Sequence, residues 1–442
     1  MNNIHFIGIG GTGMSGLAKI CLEKGINVTG SDIKNSETIQ KLRNIGANIK
    51  IGHEKLPEAT TLVVYSTAVS EDNSEVFDAK EKNIPLWHRS DILRYLANDK
   101  IVYGVAGAHG KTTTTTMLAE IFVRGDRNPS IAAGGKLVFE GANGKFDPKG
   151  EILIAELDES DGSFLKITVD TAIITNIDDD HLDYYTTKDN IDMAFAEFIE
   201  NVSAKLIVNG NDKTIMKLLK NKDKEDYITF GLKDCDYTLD EVFVQNYRNT
   251  AKAYYKGKYI GIINIPLPGI HNLLNALGAL ALARDKKIPD DVIFKALSTF
   301  QGVGRRFEII GQKKGRTIVD DYAHHPKEIE ALLIGAKSFG YKRVISIFQP
   351  HRYSRTKQLY DEFIRVLNNS DICIVNKIYS AGEPEIEGIN SENLAKDIGG
   401  IYIESFNEIV AYILENSSEE DLILTIGAGD ICEVGKMILE SL

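Results

Sequence analysis

The stretch Gly107-Ala108-His109-Gly110-Lys111-Thr112-Thr113 constrains this chain more than any other. It follows the apolar run Ile101-Val102-Tyr103-Gly104-Val105 and leads into a threonine-rich segment of helical character. A strand that feeds a glycine loop opening into a helix gathers backbone N–H groups and the positive end of the helix around one point, where a phosphate sits. Lys111 adds a point charge, and the Thr112 hydroxyl is an oxygen ligand suited to Mg²⁺. The strict GxxxxGK[ST] pattern would need glycine where Val105 stands, so the loop departs from it.

Short β-branched runs alternate with helical-period segments along the whole chain, the pattern of parallel sheets covered by crossover helices. The expected fold class is α/β. At 442 residues the chain has room for about three domains. The first runs from a strand at 4 to 8 through a glycine loop, a helix near 14 to 25 and a strand at 26 to 30. It continues to the apolar Leu62-Val63-Val64-Tyr65, with a polar helix-like bridge from Trp87 to Lys100. A boundary is expected near residue 100. The second is expected where Gly302-Val303-Gly304-Arg305-Arg306 interrupts the pattern, giving domains at 1–99, 100–304 and 305–442.

The net charge of -12 excludes a surface built mainly for nucleic acid or anionic lipid, so any phosphorylated ligand must be held by local devices. Cys21, Cys235, Cys373 and Cys432 show neither a CxxC pair nor metal-ligand spacing, and read as reduced, buried thiols. With no long apolar run and no leader-like start, a cytoplasmic protein without membrane insertion is expected. Oligomeric state stays open, homo-oligomers included.

A second glycine loop, Gly8-Ile9-Gly10-Gly11-Thr12-Gly13, follows the first strand, with Asp32 at the end of the next, where a ribose-binding acid belongs. Alone it fits NAD, a UDP-sugar or an empty tight turn; the phosphate loop downstream favours a second nucleotide substrate. Acidic residues cluster at Ala155-Glu156-Leu157-Asp158-Glu159-Ser160-Asp161 and at Asn176-Ile177-Asp178-Asp179-Asp180-His181, each after an apolar strand. Carboxylates there can reach Mg²⁺ on ATP phosphates, and chemistry alone prefers an oxygen ligand to His181. Three polar constellations remain: His271-Asn272 with Asn275; Asp320-Asp321-Tyr322-Ala323-His324-His325-Pro326; and Gln349-Pro350-His351-Arg352-Tyr353-Ser354-Arg355. Asn272 can read an adenine edge, while Arg306, Arg352 and Arg355 can clamp phosphate or carboxylate.

Taken in order, these motifs resemble the Mur ligase family over essentially the whole chain. The segments GIGGTGMSG (8–16), ELDESDGSF (156–164), DDYAHHP (320–326) and FQPHRYSR (348–355) resemble the branch that joins L-alanine to UDP-N-acetylmuramate. The branch that recycles a preformed tripeptide is the alternative, and FQPHR weighs against it. The resemblance implies an N-terminal Rossmann-like domain for the UDP-sugar, a central P-loop-type ATPase sheet, and a C-terminal Rossmann-like domain that closes with the amino acid. It implies that Lys111 contacts the transferred phosphate, that Thr112 and Glu156 hold one Mg²⁺, and that His181 helps to bind a second. Asn272 and Asn275, beside His271, are implied adenine contacts. By the same resemblance Asp321 and His324 belong to the nucleotide and closure region, and His351, Arg352 and Arg355 are catalytic residues near the sugar-nucleotide carboxyl and the reaction centre. Asp32, His53 and Ser66 are candidates for the UDP end, with Gly10, Gly11, Thr12 and Gly13. Ala108, Ala323 and Asp430 depart from the threonine, glycine and asparagine common in the family. The implied chemistry is amide formation driven by ATP through an acyl phosphate. Discrimination of alanine from glycine or serine is not expected to be readable, since one methyl group is worth only about 1–3 kcal/mol.

Overall fold

A computed structural model describes residues 2–70, 72–179, 182–245 and 248–442. Among the described residues the strands form three sheets. The first contains β1 (Asn3–Ile7), β2 (Asn27–Asp32), β3 (Asn48–Ile51), β4 (Leu62–Tyr65) and β5 (Leu86–His88), all parallel, in the order β3-β2-β1-β4-β5. The strand order reverses at β1, which opens a crevice beyond its carboxyl end, and there the chain places Gly8–Gly13.

The middle sheet is built on β6 (Ile101–Ala106), β7 (Ser130–Leu137), β8 (Ala142–Lys145), β9 (Ile152–Glu156), β10 (Val169–Ile174), β11 (Val202–Asn209) and β12 (Tyr227–Gly231). It extends through β13 (Tyr237–Gln245), β14 (Arg248–Tyr255) and β15 (Lys258–Ile265). Its order is β15-β14-β13-β12-β11-β10-β6-β9-β7-β8. Central β6 lies between β10 and β9, parallel to both, so the loops after all three converge at one edge. The third sheet has β16 (Glu308–Lys313), β17 (Arg316–Asp321), β18 (Arg343–Phe348), β19 (Ile372–Val375), β20 (Ile401–Tyr402) and β21 (Asp421–Ile426), in the order β16-β17-β21-β18-β19-β20. Only β16 runs antiparallel among its pairs, and β21 sits between β17 and β18, bringing their three following loops together.

Two compact units result, one formed by Met1–Glu241, Ala251–Asn264 and Leu273–Gln301, the other by Val242–Thr250, Ile265–Asn272 and Gly302–Leu442. The expected α/β class holds. The bridge after residue 86 differs in detail: Leu86–His88 adds an edge strand to the first sheet, and Arg89–Ala97 is the helix. Three residues are too few to show strand alternation, whereas the helix start is fixed by a capping box between His88 and Asp91. The four cysteines are free, with Cys21 and Cys373 buried as expected but Cys235 and Cys432 only half-buried. Among the described residues no helix is long and apolar enough to cross a membrane.

Candidate active site

The phosphate-type loop has the backbone its glycines require. Gly107 and Gly110 adopt φ of 129° and 83°, and Gly110 immediately precedes the helix Lys111–Arg124. The segment after β10 holds the loop: the His109 N–H donates to Asn176 Oδ1 at 2.9 Å, and Asn176 Nδ2 and Thr175 Oγ1 both donate to the His109 carbonyl. A Cβ on Gly110 would meet Asn275 Oδ1 at 2.5 Å, so Asn275 lies directly against this turn. Asn272 donates to the Pro268 carbonyl at 2.7 Å, and His271 is exposed.

Lys111 curls back over the loop, donating to the carbonyls of Gly107 and Ala108 and to Glu159 at 2.8 Å. Burial alone would lower its pKa; Glu159 and Asp158 outweigh burial and raise it, so the ammonium stays charged. Thr112 Oγ1 donates to Glu156 Oε1 at 2.9 Å, and Glu156 Oε2 accepts from the Gly134 N–H at 2.6 Å. Burial pushes the Glu156 carboxyl up against the pull of Lys111, which leaves a carboxylate whose ionised form gains from a further cation. The Thr112 hydroxyl and Glu156 carboxylate are hard oxygen donors side by side, a set that fits Mg²⁺. His181 lies outside the described residues.

The same acidic loop reaches the first sheet. Arg89 Nη2 donates to Asp158 at 2.6 Å and lies 3.5 Å from Asp161, while its Nη1 stands 3.9 Å from where a Cβ on Gly13 would be. Burial would raise Asp158, but Lys111 and Arg89 hold it well below the usual carboxylate range. Arg89 thus joins the two glycine loops through one strand end. In the first sheet the Gly10 N–H donates to Asp32 at 2.8 Å and the Gly11 N–H to the Gly8 carbonyl, while Asn143 Nδ2 donates to the Thr12 carbonyl. His53 Nδ1 bonds to Glu75 at 2.7 Å. Ser66 is half-buried just beyond β4, its carbonyl accepting from the Val69 N–H.

The second unit carries a cluster of its own at the carboxyl ends of β17, β18 and β21. Asp321 accepts from the N–H groups of Phe307 and Ala323, and burial lifts it to about 6 despite nearby Arg306. Arg306 stacks over Tyr322, and the rings of His324 and His351 lie 6.1 Å apart. Burial is the main reason that His324 falls to about 4 and His351 to about 3, with Arg355 lowering both. Arg355 Nη1 donates to His351 Nδ1 at 3.2 Å; an arginine can only donate, so Nδ1 accepts and the ring proton is on Nε2. Arg352 adopts φ 72° before the helix Tyr353–Gln358, a left-handed position that argues for a constrained site.

Family models match almost the whole chain in three consecutive parts: "Mur ligase family, catalytic domain" over residues 3–101, "Mur ligase middle domain" over 105–283 and "Mur ligase, glutamate ligase domain" over 305–429. The chain belongs to the Mur ligase family. This Mur ligase is 40% identical to the UDP-N-acetylmuramate--L-alanine ligase of Geotalea daltonii, covering all of this chain and 98% of that one. It is 42% identical to the enzyme of the same name from Carboxydothermus hydrogenoformans, over 99% and 96%. The crystal structure of UDP-N-acetylmuramate-alanine ligase MurC from Thermotoga maritima superposes with a TM-score of 0.87 at 30% identity, covering 100% and 99%. A murein peptide ligase from Psychrobacter arcticus shares the fold, with a TM-score of 0.76, at 23% identity over 100% and 98%.

Sequence reasoning gave no role to Arg89, Asn176, Glu159 or Glu75 in this Mur ligase. Glu159 and Asn176 stand inside motifs that had been singled out, so neighbourhood was their signal. Arg89 and Glu75 meet their partners across 69 and 22 or more residues of chain, and no local pattern marks them.

Proposed function

We propose that this Mur ligase forms the amide between the lactyl carboxyl of UDP-N-acetylmuramate and the amino group of L-alanine, with ATP converted to ADP and phosphate, in the cytoplasm. The observation that carries the reading is the pair of glycine loops bridged by Arg89 and the acidic loop 156–161 within one compact unit. A reaction that transfers a phosphoryl group from one nucleotide to the carboxylate of another needs two such cradles facing one cationic centre. Full-length likeness at about 40% identity to relatives named for alanine addition favours alanine over a tripeptide.

In this reading a carboxylate oxygen of the sugar attacks the γ-phosphorus, the bond to the bridging oxygen breaks, and ADP departs. The alanine nitrogen then attacks the acyl carbon, the C–N bond forms, inorganic phosphate leaves and the nitrogen loses a proton. Gly107 to Thr113 bind the phosphates of ATP, and Lys111 exchanges its carbonyl and Glu159 contacts for the transferred phosphoryl oxygens, stabilising charge that spreads during transfer. Thr112 and Glu156 would hold Mg²⁺, with His181 assigned to a second ion; bound Mg²⁺ supplies neutralisation of phosphate charge. Asn275, with His271 and Asn272 on its helix, serves the adenine; Arg306, Asp321 and His324 serve the nucleotide; His351, Arg352 and Arg355 orient the carboxylate. Gly10 to Gly13, Asp32, His53 and Ser66 take the UDP end. The three parts of the work fall to residues 1–99, 100–304 and 305–442.

The test is phosphate release by purified protein with ATP, Mg²⁺ and UDP-N-acetylmuramate, with and without L-alanine, and with Lys111→Ala as control. Release that needs both co-substrates and disappears in the variant supports the ligase. Release indifferent to them leaves an ATPase, and release with tripeptide but not alanine moves the chain to the recycling branch.

A further inference from the structure

Away from the phosphate loop, Glu75, at the start of the helix Ser74–Glu81 and 2% exposed, is a buried carboxylate of the first unit. Its Oε2 accepts from Ser31 Oγ at 2.5 Å and faces His53 Nδ1 at 2.7 Å, while Oε1 faces His5 Nε2 at 3.2 Å. The other nitrogen of His5 bonds to Thr29 Oγ1 at 2.8 Å. Burial would push the Glu75 carboxyl up, but the hydrogen bonds from His5, Ser31 and His53 hold it below its ordinary value, so the group is ionised. An ionised carboxylate only accepts, which makes His53 Nδ1 the donor.

The side chain of His53 is 27% exposed against 3% for Glu75, and with Nδ1 engaged, Nε2 is the ring atom left for a ligand. His53 follows β3, on the far side of β2 from the glycine loop after β1. Passing from β1 outward, the sheet edge presents a phosphate cradle, then Asp32 at the end of β2, then His53. In doubly wound sheets that sequence runs from phosphate to ribose to base.

We propose that Glu75 is a positioning residue for the sugar-nucleotide site, holding His53 with its proton on Nδ1 so that Nε2 accepts the imide N3–H of a pyrimidine base. The inference rests on the sugar-nucleotide reading above and extends it. The base is read by an atom whose character is set by a carboxylate the ligand never touches, much as an outer carboxylate fixes the tautomer of a metal-bound histidine. Ser31 and His5 hold Glu75 in place from two further directions.

The first measurement uses the unmodified protein with ¹⁵N-labelled histidine, His53 being assigned by the signal lost in His53→Leu. The expected result is the Nδ1–H tautomer, with the Nε2 resonance moving on addition of UDP and staying still with inorganic pyrophosphate. An Nε2–H tautomer, or an Nε2 signal indifferent to UDP, overturns the proposal. Calorimetry with UDP-N-acetylmuramate then compares variants. Glu75→Leu should weaken binding about tenfold while leaving a non-hydrolysable ATP analogue unaffected. Glu75→Gln, which keeps one acceptor, should recover part of the loss, and Glu75→Leu should add nothing in the His53→Leu background. Equal loss for both nucleotides, or full additivity, would mean a merely structural role and overturn the inference. If the unmodified protein binds neither UDP nor UDP-N-acetylmuramate, the sugar-nucleotide reading itself falls; if it binds them with His53 silent, only this inference does.

Discussion

Lys111 is a cation held by the very loop it would serve: two backbone carbonyls and Glu159 occupy its three protons. In the proposed reaction, removing it takes a positive charge from the transferred phosphoryl group, and it breaks the ion pair with buried Glu159. Lys111→Ala is expected to lower kcat for phosphate release by at least about a hundredfold, measured at saturating substrates. In the second unit the titrating groups set a pH dependence of stability. His324, at about 4, and His351, at about 3, bind fewer protons when folded than their ordinary value of 6.5 gives on unfolding. Their contribution is therefore lost as pH falls from about 6.5 toward 4. Asp321, raised from 3.8 to about 6, works in the opposite sense, losing stability as pH rises through that window. Two groups outweigh one, so His324→Gln/His351→Gln should shallow the fall in thermal midpoint between pH 7 and 4.5. An unchanged slope in the double variant would contradict this account.

At the scale of elements, the helix Thr12–Glu23 is held from outside its own sheet. The β7–β8 hairpin packs against it, with Asn143 donating to the Thr12 carbonyl and Lys19 donating to the Gly144 carbonyl. The approach is close enough that a Cβ on Gly16 would meet the Asn143 carbonyl oxygen at 2.9 Å and its carbon at 3.1 Å. Backbone cannot rotate away as a side chain can, so Gly16→Ala must displace the hairpin. A cost of about 1–3 kcal/mol is expected, seen as a thermal midpoint lower by roughly 2–10 °C. Because this helix begins at the first glycine loop, the same substitution should also raise KM for the sugar nucleotide, with the KM for ATP changing less.

Across the first unit as a whole, Arg89 connects the sheet expected to bind the sugar nucleotide with the acidic loop that pairs with Lys111. Arg89→Ala removes the cation that Asp158 and Asp161 share and makes the Lys111 environment more negative. Both kcat/KM values, for ATP and for UDP-N-acetylmuramate, should fall by about tenfold or more, and Arg89→Lys should recover part of the loss, because the single nitrogen Nη2 makes both carboxylate contacts while the reach of Nη1 toward Gly13 is not replaced. A loss confined to one nucleotide would show that Arg89 serves a single site.

The sequence by itself determined the α/β class, the two glycine loops and the strand ends that carry acids, because glycine spacing and apolar periodicity are local properties written along the chain. It also marked Lys111 and Thr112, which stand where a glycine loop opens into a helix, whereas the pairing of Thr112 with Glu156 came from the family resemblance. What it could not determine was pairing: that Glu159 rather than another acid meets Lys111, that Asn176 pins His109, that Arg89 spans two loops, or that Glu75 collects His5, Ser31 and His53. Those choices depend on strand order. Only when β6 lies between β10 and β9, and β1 between β2 and β4, do residues distant in sequence share one sheet edge, and only their mutual burial then sets which side chains stay charged.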